Sequence, residues 1–134
     1  RPERDQTETR EAIKEFQVFF DRYPNSSLMA EARQRHREAR DRLSESEYRI
    51  GFFYYRSQWY AGAIERFRSV LKTDPEFTGR DAVYYYLAES LSRVGRGPEA
   101  LVYYDKLLGE FESSTFLEDT RLKVAALKAI PPKS

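Results

Sequence analysis

Two stretches of this chain place small and bulky side chains in the same order, and that recurrence limits the folds open to it. From Ser44 the first stretch gives Ile50-Gly51, Tyr54, Ala63, Phe67, Val70 and Pro75. From Asp81 the second gives Tyr84, Leu87-Ala88, Leu91, Ala100, Tyr104 and Leu107. Glu47 departs from the pattern at its first large position, and Glu112 stands where a closing proline would be. The physical content is steric. Small residues at Gly51, Ala63, Ala88 and Ala100 let two helix backbones approach closely, and the aromatic residues lock one helix pair onto the next. A single pair cannot bury its apolar face alone, so the pairs must stack.

Apolar spacing and punctuation divide the chain into about six helices, and no strand pattern competes. The first runs from about Asp5, with Ala12, Ile13, Phe16, Phe19, Phe20 and Tyr23 on one stripe, and Asp5 and Glu8 at capping-box spacing. Pro24-Asn25-Ser26-Ser27 stops it and caps its successor. The same residues match a glycosylation sequon, but helix punctuation accounts for them. The second helix is unusually long, from about residue 28 to about residue 56, or roughly 43 Å. The third ends at Asp74-Pro75. Thr78 and Asp81 predict a capping-box start for the fourth, which Gly95 stops. Gly97-Pro98 opens the fifth, and Thr115 with Glu118 opens the sixth, which fades into Pro131-Pro132. Short connections predict antiparallel neighbours.

These offsets are those of the tetratricopeptide repeat, whose period is about 34 residues. Ala63 and Ala100 stand 37 apart, so three extra residues separate the two repeats. Ala12 and Ala63 stand 51 apart, one period plus the 17 residues that lengthen the second helix. The expected architecture is an all-α solenoid of antiparallel helix pairs forming a single domain over residues 1–134. Within it a half repeat spans 5–24, the long helix plus a repeat 28–77, a second repeat 78–112, and a C-terminal helix 115–130. The opening Arg-Pro-Glu-Arg-Asp is no signal peptide and reads as a cut inside a longer protein.

Composition narrows the function. Lys and Arg number 23 against 22 Asp and Glu, a net charge of +1, so no global field draws the chain onto nucleic acid. The arginines of the long helix suggest a basic patch, but Glu31 and Arg35, Arg37 and Asp41, and Glu38 and Arg42 stand at i,i+4 and predict a solvated face or strut. The chain has no cysteine, which removes thiolate catalysis and Cys-based zinc sites. There is no phosphate loop, nucleophile elbow or paired His, and the lone His36 falls near the apolar stripe as a packed residue. A non-enzyme is expected, without catalytic residues, metal or cofactor. The ten Tyr and nine Phe suit a binding surface. In such stacks the first helix of each pair lines a concave groove. The positions that face it are Tyr48, Arg49, Phe52, Tyr55 and Arg56 on one helix, then Tyr85, Tyr86, Glu89 and Arg93 on another. Rings interspersed with Arg suit a peptide there, or else pack between repeats.

Finally, Arg42-Leu43-Ser44-Glu45-Ser46-Glu47-Tyr48, Phe53-Tyr54-Tyr55-Arg56 and Tyr60-Ala61-Gly62-Ala63-Ile64-Glu65-Arg66-Phe67 resemble the C-terminal half of the BamD (ComL) family of lipoproteins. The resemblance runs from about Phe16 to Leu108. Tyr23-Pro24-Asn25-Ser26 fits too, but also occurs in periplasmic repeat proteins such as the Tol-Pal-associated CpoB. The long helix favours BamD. The resemblance implies a scaffold on the periplasmic face of the outer membrane that docks the POTRA region of BamA and other BAM subunits during β-barrel assembly. Its lipid anchor would lie outside this sequence. By the same resemblance Arg66 falls in the region that contacts BamA, with Lys72, Arg80 and Asp81 clustering nearby at the repeat end. The alternatives are a CpoB-like protein of Tol-Pal or cell-division type, and a peptide-binding adaptor or chaperone subunit.

Overall fold

The computed structural model describes residues 2–131. They form six α-helices: α1 (Pro2–Arg22), α2 (Met29–Arg56), α3 (Tyr60–Thr73), α4 (Arg80–Arg93), α5 (Gly97–Glu110) and α6 (Leu117–Lys128), with no strand among the described residues. The all-helical architecture and the long second helix agree with the spacing of the sequence. The chain divides into two compact units, Arg1–Ser46 and Glu47–Ser134.

In the first unit, α1 packs on the N-terminal part of α2. Ile13, Ala32 and Ala39 are buried. The edges of Phe16 and Phe20 meet His36 at centroid distances of 6.2 and 5.3 Å, and the Arg33 guanidinium lies 5.5 Å from the Phe20 ring centre. The Leu28 amide donates to Ser26 Oγ at 3.1 Å, so the serine satisfies a donor just ahead of α2. Arg37 and Asp41 pair at 2.9 Å as their spacing predicts. Glu38 instead turns back to Arg35, at 3.9 Å, and not forward to Arg42.

In the second unit the helices alternate in direction. Glu47 meets Arg66, Gly51 meets Phe67 and Tyr55 meets Tyr60, so the end of α2 and α3 are antiparallel. Tyr84 at the start of α4 reaches Glu110 at the end of α5, so these are antiparallel as well. Phe67, Leu87, Ala88, Leu91, Ala100 and Leu107 are wholly buried, at 0% exposure. Removing a ring the size of Phe67 from water contributes about 1.5–3 kcal/mol. The small residues sit where close approach requires them. A Cβ on Gly51 would lie 2.7 Å from Phe67 Cε1.

The helix ends follow local chemistry, with two departures. Gly95 adopts φ +80 after α4, its amide donates to Ser92 O at 3.1 Å, and the Arg96 amide donates to Leu91 O at 2.8 Å. This is a Schellman closure, in which the left-handed residue frees the chain to turn back. The expected capping box at α4 does not form. Gly79 occupies the cap without a side-chain hydrogen bond, while the Asp81 carboxylate accepts from the Ala82 amide at 2.9 Å and from Ser114 Oγ at 2.6 Å. A carboxylate in the first turn still meets the positive end of the helix dipole. Likewise α6 starts after Phe116 and not at Thr115, and Ser114 Oγ accepts from the Phe116 amide at 3.2 Å.

Candidate protein-docking surfaces

Helices α2 and α4 and the residue that caps α6 bring their aromatic rings into one continuous ladder. Tyr48 and Phe52 lie 6.0 Å apart between centroids, Phe52 and Tyr86 4.8 Å, and Tyr55 and Tyr86 5.0 Å. The ladder continues from Tyr86 to Tyr85 at 5.1 Å and from Tyr85 to Phe116 at 4.8 Å, the last pair stacked. All six rings are half-buried. Each therefore packs against its neighbours and stays partly open to solvent. Beside them Arg49, Arg56 and Arg93 are exposed. Phe116 was not among the expected groove residues. It precedes α6, and no helical period places it on a face.

Glu89 lies beneath the ladder. It is buried at 6% exposure, accepts from the Tyr104 hydroxyl at 2.5 Å and lies 3.4 Å from Lys123 Nζ. The Tyr85 hydroxyl donates to Asp119. Tyr85 and Tyr86 on α4 thus meet Phe116 and Asp119, while Glu89 one turn on meets Lys123, so α4 and α6 run side by side in the same direction. Burial is the main force raising the pKa of the Tyr55, Tyr84, Tyr85, Tyr86 and Tyr104 hydroxyls. Hydrogen bonds to Asp119, Glu89 and Glu110 add to it at Tyr85, Tyr104 and Tyr84 respectively. These phenols stay neutral donors across the physiological range.

The second set of expected residues separates. Arg66 pairs with Glu47 at 3.1 Å and stays partly exposed. Lys72 and Arg80 line a different feature, a cleft of about 460 Å³ between α3, α4 and α5, from which Arg66 is absent. Arg80 is anchored in two ways: it donates to Phe77 O at 2.7 Å and to Glu110 at 3.3 Å. Asp81 faces Ser114 and not the cleft. The cleft also collects Arg68 and Lys106, which the repeat spacing did not single out. Arg68 binds Glu99 at 2.9 Å, and Glu99 in turn takes two hydrogen bonds from Arg96, at 2.8 and 2.6 Å. The bonds from Arg96 first, then those from Arg68, hold the Glu99 carboxyl below its ordinary pKa.

Among the described residues no His, Asp and Glu side chains gather as metal ligands would, and no helix is long and apolar enough to cross a membrane. Comparison with known proteins gives a consistent answer. The outer membrane protein assembly factor BamD of Xylella fastidiosa (strain 9a5c) is 27% identical over 92 residues, covering 69% of this chain and 32% of that protein. The BamD of Caulobacter vibrioides (strain ATCC 19089 / CIP 103742 / CB 15) is 28% identical over 97 residues, covering 72% of this chain and 32% of that protein. The chain thus spans about a third of the length of these curated relatives. The YfiO family, described as an outer membrane lipoprotein, matches residues 1–97. With most of its 134 residues inside that match, and with the helix pairs its repeats require, the chain belongs to the YfiO family of outer membrane lipoproteins, as its resemblance to BamD implied.

Proposed function

We propose that this chain is a non-catalytic docking scaffold of outer-membrane β-barrel assembly, working at the periplasmic face of that membrane and engaging the POTRA region of BamA or another BAM subunit. Both curated relatives carry the name outer membrane protein assembly factor. The observation that carries a docking role is the half-buried ladder Tyr48–Phe52–Tyr55–Tyr86–Tyr85–Phe116 beside three exposed arginines. Rings already held by their neighbours lose little side-chain entropy on binding, and arginines beside them add charge-assisted hydrogen bonds. Glu89 acts from below, holding α4, α5 and α6 in register. In this reading Arg66, beside Glu47, marks a second contact, apart from the cleft that Lys72 and Arg80 line.

Capture of purified BamA POTRA domains by the full 134-residue chain tests the proposal. Wild-type chain shown to be helical by circular dichroism is expected to retain POTRA domains, and Tyr86→Ala or Arg93→Glu to retain less. Well-folded wild-type chain that captures no POTRA domain would remove the assignment to BamA.

A further inference from the structure

The cleft between α3, α4 and α5 has a chemistry of its own. Arg68 and Lys72 come from α3, Arg80 and Tyr84 from α4, and Tyr103 and Lys106 from α5. Leu71 and Pro75 add apolar wall, and no carboxylate lines it. Four cations thus gather at about 460 Å³ of concave space in a chain whose net charge is only +1.

The four are not equivalent. Each arginine already binds a carboxylate from α5: Arg68 takes Glu99 at 2.9 Å and Arg80 takes Glu110 at 3.3 Å. These pairs span 31 and 30 residues of sequence and fix the guanidinium groups in place. Lys72 and Lys106 are exposed and pair with no carboxylate among the described residues. The two arginines are therefore already neutralised by their own carboxylates, and two flexible ammonium groups remain to receive others.

We infer that this cleft binds an acidic peptide segment of a partner protein, carboxylates against Lys72 and Lys106 and an apolar side chain against Leu71, Pro75 and the Tyr103 ring. The inference rests on the reading of this chain as a docking module. Carboxylate is favoured over phosphate because the forked arginine groups best suited to phosphate are already taken. A membrane surface would call for a broad basic face, and a nucleic acid for a basic stripe tracking its backbone; the cleft is concave and partly apolar, and the chain is balanced in charge. Concave space with an apolar wall and a few placed charges suits side chains.

Fluorescence anisotropy with the full chain tests this, using a labelled peptide rich in Asp and Glu with one Leu, and a peptide of equal length with Asn and Gln in their place. The acidic peptide is expected to bind, with its amide counterpart about tenfold weaker or more. Lys72→Glu with Lys106→Glu should weaken the acidic peptide by about tenfold or more, while the same reversal at the exposed Lys14 of α1 changes it less than about twofold. Lys72→Gln with Lys106→Gln serves if the reversed pair fails to give a native helical spectrum. Equal binding of the two peptides, or undiminished binding by the lysine variants, overturns the inference. So does displacement of the peptide by inorganic phosphate or phosphatidylglycerol vesicles at lower concentration than by unlabelled acidic peptide. POTRA capture scored in parallel separates the two readings. Capture without peptide binding sinks only the cleft, and peptide binding without capture sinks only the assignment to BamA.

Discussion

The Tyr104 hydroxyl donates to the Glu89 carboxylate at 2.5 Å inside the helical core, with Lys123 Nζ 3.4 Å from the same oxygen. A buried carboxylate is costly unless its lone pairs are satisfied, and here the two partners come from different helices, α5 and α6. One acidic residue thus ties together three helices beneath the aromatic ladder.

Tyr104→Phe removes the donor and leaves the carboxylate in place. It should cost about 1–3 kcal/mol in urea denaturation followed by circular dichroism. Glu89→Gln, which keeps a hydrogen-bond acceptor without the charge, should cost less. A Tyr104→Phe chain as stable as wild type would show that the short bond contributes nothing net.

The raised tyrosines predict a loss of stability in alkali. A phenol whose folded pKa stands above its ordinary 10.0 favours the folded state while it is neutral. That contribution is fully present below pH 10 and is lost as the pH rises above it, because the unfolded chain releases its protons first. Melting temperature should therefore hold steady up to about pH 9 and fall steeply beyond about pH 10. Tyr104→Phe, already less stable, should show a shallower fall, and a slope equal to wild type would place the titration elsewhere.

Gly51 and Gly109 should respond in opposite senses to alanine. A Cβ at Gly51 would sit 2.7 Å from Phe67 Cε1 and 3.2 Å from Arg66 Cβ, and Phe67 is wholly buried. Gly51→Ala should cost about 1–3 kcal/mol through overpacking. Nothing lies within 4 Å of a Cβ at Gly109, so Gly109→Ala should gain about 0.5–1 kcal/mol from helix propensity. Thermal denaturation of both variants decides the matter, and a harmless Gly51→Ala would contradict the close crossing of α2 and α3.

Arg66→Glu should separate binding from folding. Its partner Glu47 lies 3.1 Å away with both side chains partly exposed, so solvent screens the pair and its loss should cost less than about 1 kcal/mol. Capture of POTRA domains should nevertheless fall by about tenfold, since a partner would desolvate the site. Unchanged capture by the folded variant would remove Arg66 from the contact.

The alternation of small and large residues sufficed to place the helix crossings. Gly51 does meet Phe67, and Ala63, Ala88 and Ala100 are wholly buried, because backbone approach and helical period are set by residues a few positions apart. Tyr48, Phe52, Tyr55, Tyr85 and Tyr86 could be assigned to one face for the same reason. Family membership was equally readable, in the run from Arg42 to Phe67.

Partner choice across long separations belonged to the tertiary structure. A helical wheel gives the direction of Glu89 but not that Tyr104 and Lys123 close over it. It sets Arg66 and Arg68 on one short helix without showing that the first pairs with Glu47 and the second with Glu99 across the cleft. Capping shows the same divide: Asp81 carries the right side chain at the right spacing, yet bonds its own next amide and Ser114. Local periodicity fixes which way each side chain leaves its helix. Which group it meets there depends on how whole helices stack, and that is decided only when the packed core has chosen its register.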